Sequence, residues 1–137
     1  LDGDPKIRRL FTDVKKAEQQ YYRNTQLFPI MHAVAIRTEV ANKYPWLPAA
    51  VFQMYSEAKQ IAYANLATTT ALWTTLPWAL DEYEETTKLM GEDYWRYGIG
   101  ANRTELELVM RYTYEQGLVK RPGDFEELFH PSTLSLT

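Results

Sequence analysis

The sequence predicts a helix-rich α+β domain with one buried strand and about five or six helices. Two observations carry this prediction. Apolar residues recur at three- and four-residue steps over most of the chain, and they form a nearly continuous run only from Ile30 to Ile36. A chain of 137 residues, of which 45% are hydrophobic, is long enough to bury one modest core.

The composition excludes several classes of function. The net charge of −3 gives no support to nucleic-acid binding, which needs a basic face. The absence of cysteine excludes thiol catalysis, disulfides and thiolate zinc sites. No window approaches the ~18 apolar residues of a membrane span, and the residues from Leu1 to Pro5 do not resemble a signal peptide. We therefore expect a cytoplasmic protein by default, without a membrane span.

Two helices are expected before residue 29. Asp4 and Pro5 predict the start of a short helix, because Asp is a good N-cap and Pro fits the first helical position. Asp13 is expected to cap a second helix that continues to Asn24. Pro29 then ends the helical region.

The run of residues 30–36 predicts a strand buried on both faces, because it is apolar throughout apart from one histidine. Strand alternation places four side chains on one face and three on the other: Ile30, His32, Val34 and Ile36 against Met31, Ala33 and Ala35. A lone strand cannot satisfy its own backbone N–H and C=O groups. No good neighbouring strand is visible in the sequence, so we expect further sequence or another chain to complete the sheet.

A long helix after the strand gives the strongest periodic signal. A short helical turn is expected first, starting at Thr38 or Glu39 and ending before Pro45. The long helix then runs from Trp46 to about Leu66. Its predicted inward stripe has seven members: Leu47, Val51, Met54, Ala58, Ile61, Ala62 and Leu66.

The last third of the chain predicts helices separated by irregular segments. Residues 68–78 have no clean period and are expected to be irregular, and a helix then runs from Ala79 to Met90. Asn102 is expected to cap another helix, with Glu105 as its capping-box partner. That helix ends at Gly117. A short helix follows in residues 123–129, before a loose tail.

Five separated motifs give the chain a family resemblance: LFPIMHAVAIR, LPW, MGEDYWRYG, NRTELE and RYTYEQGL. Together they resemble the C-terminal part of the 4,5-dihydroxyphthalate decarboxylase family, from about Asp4 to Leu134. The resemblance implies a two-lobed fold similar to type II periplasmic solute-binding proteins. Residues 1–26 would then be a helical lead-in from the second lobe. Residues 27–137 would hold the crossover strand and the C-terminal helices of the first lobe.

The resemblance also implies an activity: non-oxidative decarboxylation of a dihydroxylated aromatic dicarboxylate, with no cofactor. This chemistry needs a general acid near the ring carbon that loses its carboxylate, and donors for the carboxylate that stays. His32 is the expected catalytic acid, since histidine titrates near neutrality. Arg23 and Tyr22 are the expected substrate-binding residues. Two histidines 98 positions apart give no metal-ligand spacing, so no metal is expected.

Other interpretations stay open at this point. A solute-binding protein for a small organic anion, located in the periplasm, fits the same resemblance, and so does an inactive fragment. His32 also fits a structural histidine bonded to backbone at a sheet edge, and Arg23 a solvated helix end. His130 is expected at the surface. We expect the partners to be a small aromatic carboxylate, the missing N-terminal lobe, and further copies in a homo-oligomer.

Overall fold

The computed structural model describes residue 4 and residues 6–136. This part of the chain forms five α-helices: α1 (Val14–Thr25), α2 (Thr38–Lys43), α3 (Leu47–Leu66), α4 (Ala79–Met90) and α5 (Arg103–Glu115). It also forms three short 3₁₀ segments: Gly100–Asn102, Phe125–Leu128 and Pro131–Thr133. Helix α3 contacts α4 and the last 3₁₀ segment, while α5 contacts the other two. Helices α3 and α5 therefore each pack against two other elements.

The predicted α+β class with a crossover strand is wrong for the described residues, which contain helices and no strand. Residues 27–37 belong to no helix or strand, and Ile30, Met31 and Val34 are 40%, 56% and 58% exposed. A strand needs a neighbour to bond its backbone, and an apolar run does not provide one. The described chain is thus all-helical. Its predicted division into residues 1–26 and 27–137 stays a prediction.

Helix α1 begins where the sequence predicts and ends one residue later than expected. The Asp13 side chain accepts a hydrogen bond from the backbone N–H of Lys16 at 3.0 Å, as an N-cap should. At the other end Gln26 adopts a left-handed conformation with φ of 57°, and its N–H bonds the Tyr22 carbonyl at 2.7 Å. Both ends of α1 therefore have bonded backbone groups.

We expect the substitution Asp13→Ala to lower the free energy of unfolding by about 1 kcal/mol, because it removes the acceptor that caps α1. Urea unfolding followed by circular dichroism measures the loss. Glu18→Ala is the matched control, since Glu18 is an exposed acidic residue within α1. Equal stability of the two variants would show that the Asp13 hydrogen bond does not stabilise the helix.

The sequence predicted the bounds of α3 correctly but not its orientation. Pro48 lies in the first turn, where proline is tolerated. Yet Met54 and Ile61, from the predicted inward stripe, are 67% and 64% exposed. The other side faces the protein, with Tyr63 half-buried and the Lys59 side chain only 9% exposed. Since α3 carries apolar residues on both sides, periodicity alone does not determine which side packs.

The two chain ends also differ from expectation. Pro5, the predicted first helical position, lies outside the described residues. Asp4 accepts a hydrogen bond from the Lys6 N–H at 2.9 Å, but only a turn follows, and Leu10 is 89% exposed. The tail is not loose: the 3₁₀ segment Pro131–Thr133 is partly buried and contacts α3. The contact with α3 therefore orders the tail.

Residues 91–102 form an ordered connection between α4 and α5. Helix α4 ends before Gly91, whose φ of 90° suits glycine. Ile99 is 4% exposed and belongs to the small core with Phe125 and Ala41. The predicted capping box is wrong: the Asn102 amide donates to the carbonyls of residues 96 and 98, at 3.1 and 2.8 Å, and does not cap α5. Residues 68–78, between α3 and α4, are irregular, which confirms the prediction of an irregular segment there.

Candidate functional site

The three site residues predicted from the sequence lie on or next to helix α1. Tyr22 is half-buried and Arg23 is exposed in the last turn of α1. His32 is exposed in the irregular segment that follows, and within the described chain it makes no hydrogen bond or ion pair. The three are therefore close in sequence, and their functional roles stay predictions.

An ion cluster fixes the position of α1 against α4. The Lys15 ammonium lies 2.7 Å from a Glu82 oxygen and 2.6 Å from a Glu85 oxygen, and Gln19 donates to Glu85 at 2.6 Å. Hydrogen bonds from Lys15 and Gln19 lower the pKa of Glu85, and the charge of Arg23 adds to this effect. Hydrogen bonds to Glu82 and Glu85 likewise raise the pKa of Lys15. The cluster therefore joins the Lys15 and Gln19 side of α1 to Glu82 and Glu85 of α4.

Lys59 on α3 is a nearly buried cation, with its side chain 9% exposed. Its ammonium lies 2.6 Å from an Asp93 carboxylate oxygen and donates to the Trp95 carbonyl at 3.3 Å. The ammonium also lies 4.7 Å from the ring centre of Tyr97 and 5.8 Å from that of Tyr63. These ionic and cation–π contacts attach residues 93–97 to α3.

A tyrosine stack continues from this cation. The rings of Tyr63 and Tyr94 stack with their centres 4.8 Å apart, and Tyr83 meets Tyr94 edge-on at 6.2 Å. The Tyr63 hydroxyl oxygen accepts the backbone N–H of Trp95 at 3.0 Å. Burial raises the pKa of Tyr63 to about 12, and it raises the pKa of Tyr94 as well. Both phenols therefore stay protonated near neutral pH, and the Tyr63 hydroxyl serves as a hydrogen-bonding group.

The raised pKa of Tyr63 predicts a stability change at alkaline pH. The folded protein holds this proton more tightly than the unfolded chain, whose tyrosine pKa is about 10. The resulting stabilisation is complete below pH ~10 and is lost as the pH rises toward about 12. We expect Tyr63→Phe to make the loss of stability over this range less steep. Urea unfolding at a series of alkaline pH values tests this.

The exposed tyrosine Tyr114 provides the control for that experiment, because it is 46% exposed. Tyr114→Phe should leave the alkaline slope of the wild-type protein unchanged. If Tyr63→Phe and Tyr114→Phe give the same slope as the wild type, burial of the Tyr63 hydroxyl does not govern alkaline stability.

A shallow polar groove of about 400 Å³ lies beside the lysine–aspartate pair. Seven residues line it: Gln53, Ser56, Glu57, Lys59, Gln60, Asp93 and Tyr97. Two carboxylates face one ammonium here, so the groove has an excess of negative charge and disfavours a dicarboxylate ligand. None of the three predicted site residues lines it. The groove is thus separate from the site that the sequence predicts.

A second buried charge holds the α4–α5 connection to α5. Glu105 is 6% exposed and accepts a hydrogen bond from the Arg96 guanidinium at 3.0 Å. Nearby, Arg103 bonds Glu126 at 3.0 Å and lies over the Phe125 ring at 5.0 Å. The Arg96–Glu105 bond attaches the α4–α5 connection to α5, and the Arg103–Glu126 bond attaches the Phe125–Leu128 segment to α5, so we assign both a structural role.

The sequence analysis did not identify Lys59 and its contacts with residues 93–97 as a candidate site. The motif MGEDYWRYG contains three aromatic residues, but nothing in the sequence distinguishes Lys59 from other polar residues of a helix. The spacing of Lys59 and Tyr63, one helical turn apart on α3, was the available signal. Their partners at residues 93–97 lie more than thirty positions further along the chain. The Lys59 contacts therefore become visible only when the chain is folded.

Comparison with known proteins identifies a relative of the chain. No protein-family model matches the chain. The chain is 36% identical over 132 residues to a 4,5-dihydroxyphthalate decarboxylase of Comamonas testosteroni, and the match covers 96% of the chain. The chain spans only 40% of that relative's length and matches its C-terminal part. The resemblance predicted from the five motifs is thereby confirmed. Among the described residues, no helix is both long and apolar enough to cross a bilayer.

Proposed function

We propose that this chain forms the C-terminal part of an aromatic carboxy-lyase that acts on a dihydroxylated aromatic dicarboxylate. The observation that supports this proposal is the 36% identity to a 4,5-dihydroxyphthalate decarboxylase over 96% of the chain. The proposed reaction converts 4,5-dihydroxyphthalate to 3,4-dihydroxybenzoate and CO₂. Because the chain spans 40% of the relative, the proposal concerns the intact protein that contains this sequence.

The proposed reaction exchanges one carboxylate for one proton. The ring hydroxyl para to the departing carboxylate donates electron density, and the ring carbon that bears this carboxylate accepts a proton. The bond between ring and carboxylate then breaks, its electron pair returns to the ring, and CO₂ leaves. The protein must supply the proton, hold the second carboxylate, and surround the departing group with apolar side chains. No oxidant is consumed.

In this proposal His32 supplies the proton. Its exposed side chain is not engaged by other described residues, and its neighbours in the sequence, Met31 and Ala33, are apolar. An apolar setting favours CO₂ formation, because negative charge is lost from the carboxylate. Arg23 is proposed to bind the carboxylate that stays, with the half-buried Tyr22 beside it as a hydrogen-bond donor.

The test is to incubate the intact protein with 4,5-dihydroxyphthalate and to measure CO₂ release, 3,4-dihydroxybenzoate formation and ligand binding. We expect equal amounts of CO₂ and 3,4-dihydroxybenzoate. Phthalate without hydroxyls is the matched control, because it lacks the para donor and should release no CO₂. Binding without CO₂ release would contradict the lyase and favour a solute-binding protein. If the intact protein neither binds 4,5-dihydroxyphthalate nor releases CO₂ from it, the proposed substrate is wrong.

A further inference from the structure

Helix α3 exposes an apolar surface that the described residues do not cover. Met54, Ala58 and Ile61 lie along one side of α3, spaced by four and three residues, and we name them the outer face of α3. Met54 and Ile61 are 67% and 64% exposed, and Ala58 is exposed as well. The three side chains of the outer face are uncharged, and the exposed Glu57, which accepts a hydrogen bond from Gln53 at 3.0 Å, lies at its edge.

The opposite side of α3 already has its partners. Lys59 and Tyr63 point toward residues 93–97, through the ion pair with Asp93 and the stack with Tyr94. The partly buried rings of Phe52 and Tyr63 lie on this side beside Lys59, so α3 carries apolar residues on both sides, a pattern typical of a helix enclosed by its protein. Contiguous exposed apolar surface on a soluble protein usually marks a place where something binds.

We propose that the outer face of α3 is a docking surface for the polypeptide that precedes the matched region in proteins as long as the relative. The chain spans 40% of that relative and matches its C-terminal part, so most of the relative's length precedes the match. The covering surface must be apolar and uncharged to complement the outer face. This inference rests on the length comparison and the exposure of α3, and not on the proposed decarboxylation.

A preceding polypeptide explains the exposed residues better than a second copy does. Large apolar side chains are also exposed on two other parts of the chain: Ile30, Met31 and Val34 before α2, and Leu72, Trp73, Leu76 and Trp78 after α3. A symmetric dimer buries one self-complementary patch on each copy. A long polypeptide segment of the same protein can cover surfaces on several elements at once.

The test compares two cysteine variants of the intact protein, Ala58→Cys on the outer face and Ala64→Cys as its control. Both alanines are exposed on α3 in the described structure, and they lie about 120° apart around the helix. Each cysteine is alkylated with a maleimide, and the modified peptide is quantified by mass spectrometry. We expect Ala58→Cys to react at least about tenfold more slowly than Ala64→Cys in the folded protein. In denaturant the two should react at equal rates.

The same experiment distinguishes a covering segment of the same polypeptide from a second copy bound to the outer face of α3. Protection of Ala58→Cys that persists on dilution supports a covering segment within the same polypeptide. Equal rates for the two variants in the folded protein would overturn the proposal. Protection that disappears on dilution would also overturn it, because a second copy would then cover the outer face.

A measurement on the wild-type protein tests the same proposal without any substitution that could prevent folding. Dilute peroxide oxidises accessible methionine to the sulfoxide. In the described structure Met54 is 67% exposed, whereas Met110 is half-buried. If the preceding polypeptide covers the outer face, Met54 should oxidise no faster than Met110 in the intact protein. Faster oxidation of Met54 would overturn the proposal, whatever the protein's activity on 4,5-dihydroxyphthalate.

Discussion

The substitution His32→Gln in the intact protein is expected to lower kcat for 4,5-dihydroxyphthalate by about a hundredfold to ten-thousandfold, because it removes the proposed proton donor. Glutamine keeps the polarity and approximate size of the side chain but does not titrate. KM should change little, since the proposed carboxylate ligand, Arg23, is retained. The free energy of unfolding should stay within about 0.5 kcal/mol of the wild type, because His32 is exposed.

The second histidine provides the matched control. His130 Nδ1 lies 2.9 Å from the Ser132 hydroxyl and accepts the Ser132 backbone N–H at 3.2 Å, so it caps the last 3₁₀ segment. His130→Asn keeps a side-chain acceptor at this position and should leave kcat unchanged. Steady-state kinetics of both variants test whether His32 is the proton donor. An unchanged kcat in His32→Gln, or an equal loss in both variants, would contradict the proposed role of His32.

Local sequence signals predicted most helix positions in this chain. The bounds of α3 follow from a long apolar period, and α4 ends where Gly91 takes a positive φ. Asp13 marked the start of α1 because capping depends on residues only three positions apart. Signals that act within one or two helical turns could therefore be read correctly from the sequence.

Features that depend on distant partners could not be predicted in the same way. The apolar run of residues 30–36 has the composition of a buried strand, but pairing requires a second strand that the described residues do not provide. The side of α3 that packs is fixed by Asp93 and Tyr94, which the helical period does not encode. The ligand of the predicted site stays a prediction for the same reason, since most of the relative's length lies outside the match.

The substitution Arg96→Met is expected to lower the free energy of unfolding by about 2–3 kcal/mol, the largest loss we expect from a single ion pair here. Glu105 is 6% exposed, and Arg96 donates to its carboxylate at 3.0 Å. Without the guanidinium, a buried carboxylate loses its cation while its desolvation persists. The Arg96 side chain is 38% exposed, which places the expected loss below that of a fully buried pair. Urea unfolding measures it.

Two further variants distinguish this explanation from a general loss of packing. Arg111→Met removes a surface cation that lies 3.3 Å from Glu115, with both side chains more than half exposed, so its loss should be at most about 1 kcal/mol. The double variant Arg96→Met with Glu105→Leu removes the stranded carboxylate and should recover much of the stability. If Arg96→Met costs no more than Arg111→Met, the ion pair does not hold the α4–α5 connection. If the double variant recovers nothing, the methylenes of Arg96 stabilise the fold by packing, and its charge does not.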